Sequence, residues 1–196
     1  MRSIGLAVLL TLFAGAPAGA QVVALGDSAT KGFHLSEAET WPFKLEALLR
    51  QRGLDVHVAN EGVNGDTSEG MLSRLDSAVP AGTRVVIFAC CGNDNKNPRH
   101  FVADHDADMQ AIFARLRARG IAVVFSPERS AGAMNPADIA LAQRMGASSC
   151  GGIYKGVAPE DIEESPAGRH PNARGTSVIA ARLLPCVMSA LGAKGG

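Results

Sequence analysis

The sequence predicts an α/β protein, a three-layer sandwich around a parallel, flavodoxin-like five-stranded sheet. Three observations predict it. Short apolar runs alternate with stretches of helical periodicity along the chain, the pattern of a parallel sheet covered by helices. The run Val85-Val86-Ile87-Phe88 is continuously apolar, as suits a strand buried on both faces. Polar, glycine-bearing segments follow the apolar runs, where such sheets hold ligands beyond the carboxyl ends of their strands.

Taken in order, Val22 to Leu25 is a strand ending at Gly26. Thr40-Trp41-Pro42 opens a helix, because Thr can cap and Pro is tolerated in the first turn. Leu45, Leu48 and Leu49 give that helix its stripe, and Gly53 lies past its end. Val56 to Ala59 is the second strand, and Thr67 to Ser77 a helix carrying Met71, Leu72 and Leu75. Arg84 to Cys90 is the third strand. A helix from about Asp104 to Arg119 places Met109, Ile112, Phe113 and Leu116 on one face, and Gly120 stops it. Ile121 to Phe125 is the fourth strand. Asn135 caps a helix over Pro136 to Met145, and Gly152 to Val157 is a weak fifth strand. The last helix runs from Asn172 to Leu191, with a kink expected at Pro185.

A chain of 196 residues, 46% of them apolar, fits one globular domain, placed at 21–196. The 19 basic and 19 acidic residues balance, so there is no electrostatic footprint for nucleic acid or an anionic membrane. Residues 1–20 have the form of a signal peptide. Arg2 precedes an apolar stretch from Ile4 to Ala14, and Ala18-Gly19-Ala20 is a cleavage signal before Gln21. The stretch is short for a membrane span, so stable membrane insertion is not expected and a periplasmic or secreted protein is. Export makes disulfides possible for the four cysteines. Cys150 and Cys186 are the preferred pair, with four buried free thiols as the alternative. Cys90 and Cys91, adjacent on a strand, are expected to face opposite sides of the sheet and not to bond each other. No C-x-x-C, G-x-G-x-x-G or P-loop motif is present, which disfavours zinc-ribbon, redox and nucleotide-binding readings. The oligomeric state is left open.

Four segments could carry chemistry: Gly26-Asp27-Ser28, the run from Asn60 to Thr67, Gly92-Asn93-Asp94, and His170-Pro171-Asn172. Acyl transfer needs a hydroxyl nucleophile with a base in reach and donors aimed at the developing oxyanion. Ser28 sits where a strand meets a loop. Gly65 lets its amide approach a ligand closely, Asn93 offers a side-chain amide, and His170 has the basicity of a general base.

In their order and spacing these segments resemble the conserved blocks of the SGNH (GDSL-type) hydrolases. The likeness runs from Val22 to about Leu184, Trp41-Pro42 included, and is strongest to the bacterial periplasmic thioesterase/lysophospholipase and arylesterase branch. The resemblance implies Ser28 as nucleophile, His170 as base, an oxyanion hole from Ser28, Gly65 and Asn93, a small-molecule ester substrate, and neither metal nor organic cofactor. It implies a serine esterase acting on ester or thioester bonds of short-to-medium acyl or aryl substrates through an acyl-enzyme on Ser28. The alternatives are a catalytically weakened lipid- or glycan-binding relative and a carbohydrate O-deacetylase.

One position departs from the pattern. The family carries an aspartate three residues before the histidine, and here Ala167 stands there. Either Ser28 and His170 act as a dyad, or Glu164, Asp161 or Glu163 folds back to orient the ring. Of the remaining residues, the stretch from His100 to Asp108 invites a metal reading, but acids at a helix start are favoured by the helix dipole alone. Asp27 is expected to hold the nucleophile loop, Asp94 to act as a loop or cap residue, Asn60 to brace the Gly65 loop, and Trp41 to pack in the core. Phe33 and the segment from Ser126 to Asn135 are expected to shape an acyl or aryl pocket.

Overall fold

The computed structural model describes residues 21–94, 102–127, 136–166 and 168–192. The leader reading of residues 1–20, His100 and Ala167 fall outside them. Strand β1 (Val22–Gly26) is followed by a one-turn helix α1 (Ser28–Lys31) and then helix α2 (Trp41–Gln51). Next come β2 (Val58–Gly62), α3 (Ser68–Ser73), α4 (Leu75–Ala78) and β3 (Val85–Ala89). Then follow α5 (Val102–Ala118), β4 (Ala122–Phe125), α6 (Pro136–Arg144) and β5 (Ser148–Ser149). A hairpin of β6 (Ile162–Ser165) and β7 (Gly168–Pro171) precedes the long helix α7 (Ala173–Ala190).

The five-stranded sheet has the order β2-β1-β3-β4-β5 and is parallel throughout. That is the flavodoxin-like order, whose switch point lies between β1 and β3. Residue parity divides the core. Val22, Ala24, Val85 and Ile87 pack with Trp41, Leu45, Leu49, Ile179, Leu183 and Val187 of α2 and α7. Val23, Leu25, Val86 and Phe88 face Met71, Leu75, Met109, Ile112, Phe113, Leu116 and Leu141 on the other side. Period-two alternation along each strand thus feeds two apolar layers. Trp41 is fully buried, in the core role expected of it.

Several expectations are corrected. The fifth strand is Ser148–Ser149, paired with Val124 and Phe125, and not 152–157. There the Lys155 and Val157 amides close turns onto the Gly152 and Tyr154 carbonyls and so are not used in a ladder. The helix expected over 67–77 divides at Arg74, whose backbone leaves helical geometry (φ −103°, ψ 7°). Pro185 lies inside helix α7, as expected. Strand β3 ends at Ala89, so the alternation invoked for Cys90 and Cys91 does not reach them. Both pack toward the same layer, and they are bonded to each other. Cys150 and Cys186 form the other disulfide. Among the described residues, no helix is long and apolar enough to cross a membrane.

Candidate active site

The site is built where β1 and β3 end, on either side of the switch point. Asp27 caps α1, its Oδ1 accepting from the Ala29 amide at 3.0 Å, and so fixes Ser28 as the first helical residue. Two glycines let this turn lie flat on the strand ends. A Cβ on Gly26 would stand 2.7 Å from the Ala89 carbonyl oxygen, and one on Gly62 would stand 2.6 Å from Lys31 Cα. Gly26 and Gly62 are register partners in β1 and β2. Asn60 serves this corner: its Oδ1 accepts from the Gly62 amide at 3.1 Å and its Nδ2 donates to the Lys31 carbonyl at 3.4 Å. It thus braces Gly62 and the end of α1, and through Gly62 the start of the loop that leads to Gly65.

The hairpin brings His170 from a distance of 142 residues in sequence to Ser28, with Nε2 at 2.8 Å from Oγ. The imidazole is 6% exposed. Its face is covered by Phe33, ring centroids 4.4 Å apart and planes 26° apart. His170 is held from below by Asn172, whose Oδ1 caps α7 through the Arg174 and Gly175 amides, while its own amide donates to the Asp161 carbonyl at 2.9 Å. Three acids lie on or beside the hairpin that carries His170. Asp161 is buried and pairs with Arg174 at 3.1 Å. Glu164 is exposed and pairs with Arg169 at 3.3 Å. Glu163 is the residue directly across the hairpin from His170, and it is exposed.

The two remaining loops meet Ser28 from the side. Gly65 has φ 75° and open space around its Cα. Among the described residues, neither its amide nor that of Ser28 is used in the hydrogen bonds that close these loops. The Asn93 amide donates to Asp27 Oδ2 and to the Asp66 carbonyl, both at 3.0 Å. Asn93 therefore joins all three loops, and any further acceptor it serves shares a proton already directed elsewhere. Asp94 is a cap, as expected: its Oδ1 accepts from the Ser68 amide that opens α3 at 2.9 Å.

Arg74 and His105 have roles that no sequence pattern had assigned. Arg74 donates from Nη2 to the Gly26 and Glu61 carbonyls at 3.2 and 2.9 Å, and from Nε to Asp66 Oδ2 at 2.8 Å, so one guanidinium ties the ends of β1 and β2 to the Gly65 loop. The signal available was a single cation within the apolar run Met71 to Leu75. His105 of α5 stands between two carboxylates, Nδ1 2.5 Å from Asp94 Oδ2 and Nε2 3.3 Å from Asp138 Oδ1. Burial alone would lower its pKa, but hydrogen bonds and charge from Asp138 and Asp94 raise it to about 10. Burial likewise opposes ionisation of Asp94, and its bonds with His105 and Ser68 overcome that and hold its pKa below the usual value. Cys91, Asp94, His105, Asp106 and Asp138 place potential metal-ligand atoms close together here. Here His105 is hydrogen-bonded to both Asp94 and Asp138, so the cluster is held by an ion-paired hydrogen-bond network.

The fold and site define a class, a flavodoxin-like α/β protein with a serine–histidine pair at the carboxyl edge of its sheet. Residues 24–177 match the model of the GDSL-like lipase/acylhydrolase family, and the chain belongs to that family. An arylesterase of Vibrio mimicus is 33% identical over 75 residues, which is 38% of this chain and 38% of that relative. The chain thus spans well under two thirds of that relative's length in the match. The crystal structure of AlinE4, an SGNH-hydrolase family esterase, is 26% identical with a TM-score of 0.64, over 90% of this chain and 99% of that one. The psychrotrophic esterase EstA of Pseudoalteromonas sp., in a structure inhibited by monoethylphosphonate, has a TM-score of 0.72 at 17% identity, over 87% of this chain and 98% of that one. At that identity the likeness is one of fold.

Proposed function

We propose that this chain is a serine esterase that cleaves carboxylic esters of short-to-medium acyl or aryl substrates through an acyl-enzyme on Ser28. The observation that carries the reading is the 2.8 Å contact between Ser28 Oγ and His170 Nε2, within reach for proton transfer. The hydroxyl proton passes to Nε2 as Oγ bonds to the acyl carbon, and the carbonyl electron pair moves onto oxygen. The Ser28 and Gly65 amides serve that oxyanion, and Asn93 adds a shared proton. Collapse of the tetrahedral species re-forms the carbonyl and breaks the bond to the leaving oxygen, which takes the proton from Nε2. A water then repeats the sequence on acyl-Ser28, with His170 again as base, and releases the acid.

The exposed Val63, in the loop after β2, supplies an apolar surface for an acyl or aryl group, while Phe33, also expected to shape this pocket, is stacked against His34 and His170. Residues 128–135, also expected to shape this pocket, lie outside the described residues. A thioester would fit the same chemistry, since the leaving atom alone changes. Export through the 1–20 leader is part of this proposal. It is supported by the absence of free cysteines, all four being paired, because disulfides persist in oxidising compartments.

The test is labelling with a fluorophosphonate probe beside a p-nitrophenyl ester chain-length series, a thioester and an acetylated sugar. Labelling and ester turnover that vanish in Ser28→Ala are expected. Folded wild-type protein that neither labels nor turns over any of these substrates would instead make it a binding relative. Turnover confined to the acetylated sugar would make it a carbohydrate O-deacetylase.

A further inference from the structure

We infer that Phe33 is a positioning residue for His170: its ring holds the imidazole against Ser28 and favours the imidazolium that forms when the serine proton reaches Nε2. The inference rests on the serine-esterase reading. A base that shuttles a proton must keep its ring fixed and must carry a positive charge transiently. A carboxylate can do both, and Ala167 offers none at the position where the family pattern carries one. An aromatic face can also do both, by stacking and by attraction of its electron-rich face for a cation.

The geometry is suited to that work. The centroid separation of 4.4 Å and interplanar angle of 26° put the imidazole over the Phe33 face, inside the range of a cation–π contact. Phe33 is fixed to the nucleophile itself, because its amide donates to the Ser28 carbonyl at 3.1 Å. Serine and ring therefore move as one unit, and the stack transmits the position of one to the base of the other. On the far side His34 lies against Phe33 with centroids 4.0 Å apart. His34 takes a left-handed backbone, φ 62°, a conformation that a residue with a Cβ adopts at some cost. Here that conformation accompanies a second ring behind Phe33. The other titratable and charged groups on the segments around His170 are Glu163, Glu164 and Arg169 of the hairpin, Asp161 and Arg174 at its base, Tyr154 against the Arg169 carbonyl, and Asp27, Lys31 and His34 on the Ser28 side.

Phe33→Leu keeps bulk and removes the aromatic face, and Phe33→Tyr restores the face. In Phe33→Leu, kcat for a p-nitrophenyl ester is expected to fall roughly 3- to 30-fold, the range of a cation–π contact, with KM little changed. The acid limb of the pH–rate profile should move to lower pH, since the imidazolium loses support. Phe33→Tyr should recover most of the rate. In the Ser28→Ala background, the His170 ring signal followed by NMR should titrate at lower pH when Leu replaces Phe33. Ser28-dependent turnover in wild type, with kcat, pH profile and ring titration all unchanged in Phe33→Leu, overturns the inference. No Ser28-dependent turnover in wild type overturns the esterase reading instead, and the ring titration still decides whether Phe33 acts on His170.

Discussion

His105 and Asp94 are joined by a 2.5 Å contact directly behind the loop that presents Asn93. Asp94 passes the link to the first amide of α3, and His105 extends it to Asp138 of α6. An imidazole that meets a carboxylate at each nitrogen can donate to both only as imidazolium. One charged ring therefore ties α5 and α6 to two of the loops around Ser28.

The consequence is a pH-dependent stability with a definite sign. His105 has its pKa raised from 6.5 to about 10 by Asp138 and Asp94, against the effect of burial. Its contribution is complete below pH 6.5, declines above it and is gone by about pH 10. Urea midpoints of the wild type are expected to fall across that interval. His105→Gln should be less stable at neutral pH and should show a flatter decline. Parallel curves for the two proteins would mean that His105 is not a charged clamp.

The corner under Ser28 gives a second prediction, about packing. A Cβ on Gly62 would meet backbone at 2.6 Å (Lys31 Cα) and 2.7 Å (the Thr30 carbonyl carbon). Backbone cannot rotate away as a side chain can, so α1 must move and carry Ser28 with it. Gly62→Ala is expected to lose about 1–3 kcal/mol of stability, as overpacking does, and to slow fluorophosphonate labelling at least about tenfold, since small misplacements of a nucleophile are costly. Gly53→Ala is the control, because Gly53 has φ 77° with open space around it and lies in the loop after α2. It should lose stability through backbone strain and keep its labelling rate. Equal labelling in both variants would separate the Gly62 contact from the placement of Ser28.

The sheet was legible in the sequence because burial on both faces writes itself as continuous apolar runs, as in Val85 to Phe88, and because helices leave 3.6-residue stripes such as Met109 to Leu116. The short fifth strand was not, since Ser148 and Ser149 are exposed and leave no apolar trace. Ser28, Gly65, Asn93 and His170 could be singled out as candidates from residue type, and the structure brings Ser28 and His170 together. What joins them could not. The Asn93 bonds to Asp27 and Asp66, the Arg74 reach to Gly26 and Glu61, and the His105 clamp all span separations that no local period encodes. Phe33 was visible as an apolar residue near the nucleophile, but its stacking on His170 depends on a hairpin that brings the two rings together. The pairing of Cys90 with Cys91 was missed because the strand was extended one residue too far.

The alanine three residues before His170 sets up the last prediction. In serine proteases the loss of the orienting carboxylate costs about 10⁴ in kcat while leaving residual catalysis. Here the Phe33 face supplies part of what that carboxylate would, so the deficit should be smaller. Ala167→Asp is expected to raise kcat for a p-nitrophenyl ester severalfold with KM little changed, because ring orientation acts on the chemical step and not on substrate binding. The same substitution should reduce the penalty of Phe33→Leu, since two groups that hold one ring are not additive. The four proteins form a double-mutant cycle in kcat. Independent effects in that cycle would mean that the residue at 167 and Phe33 do not act on a common ring. An unchanged kcat in Ala167→Asp, beside robust Ser28-dependent turnover of the wild type, would mean that the ring is already fully oriented without a carboxylate at that position.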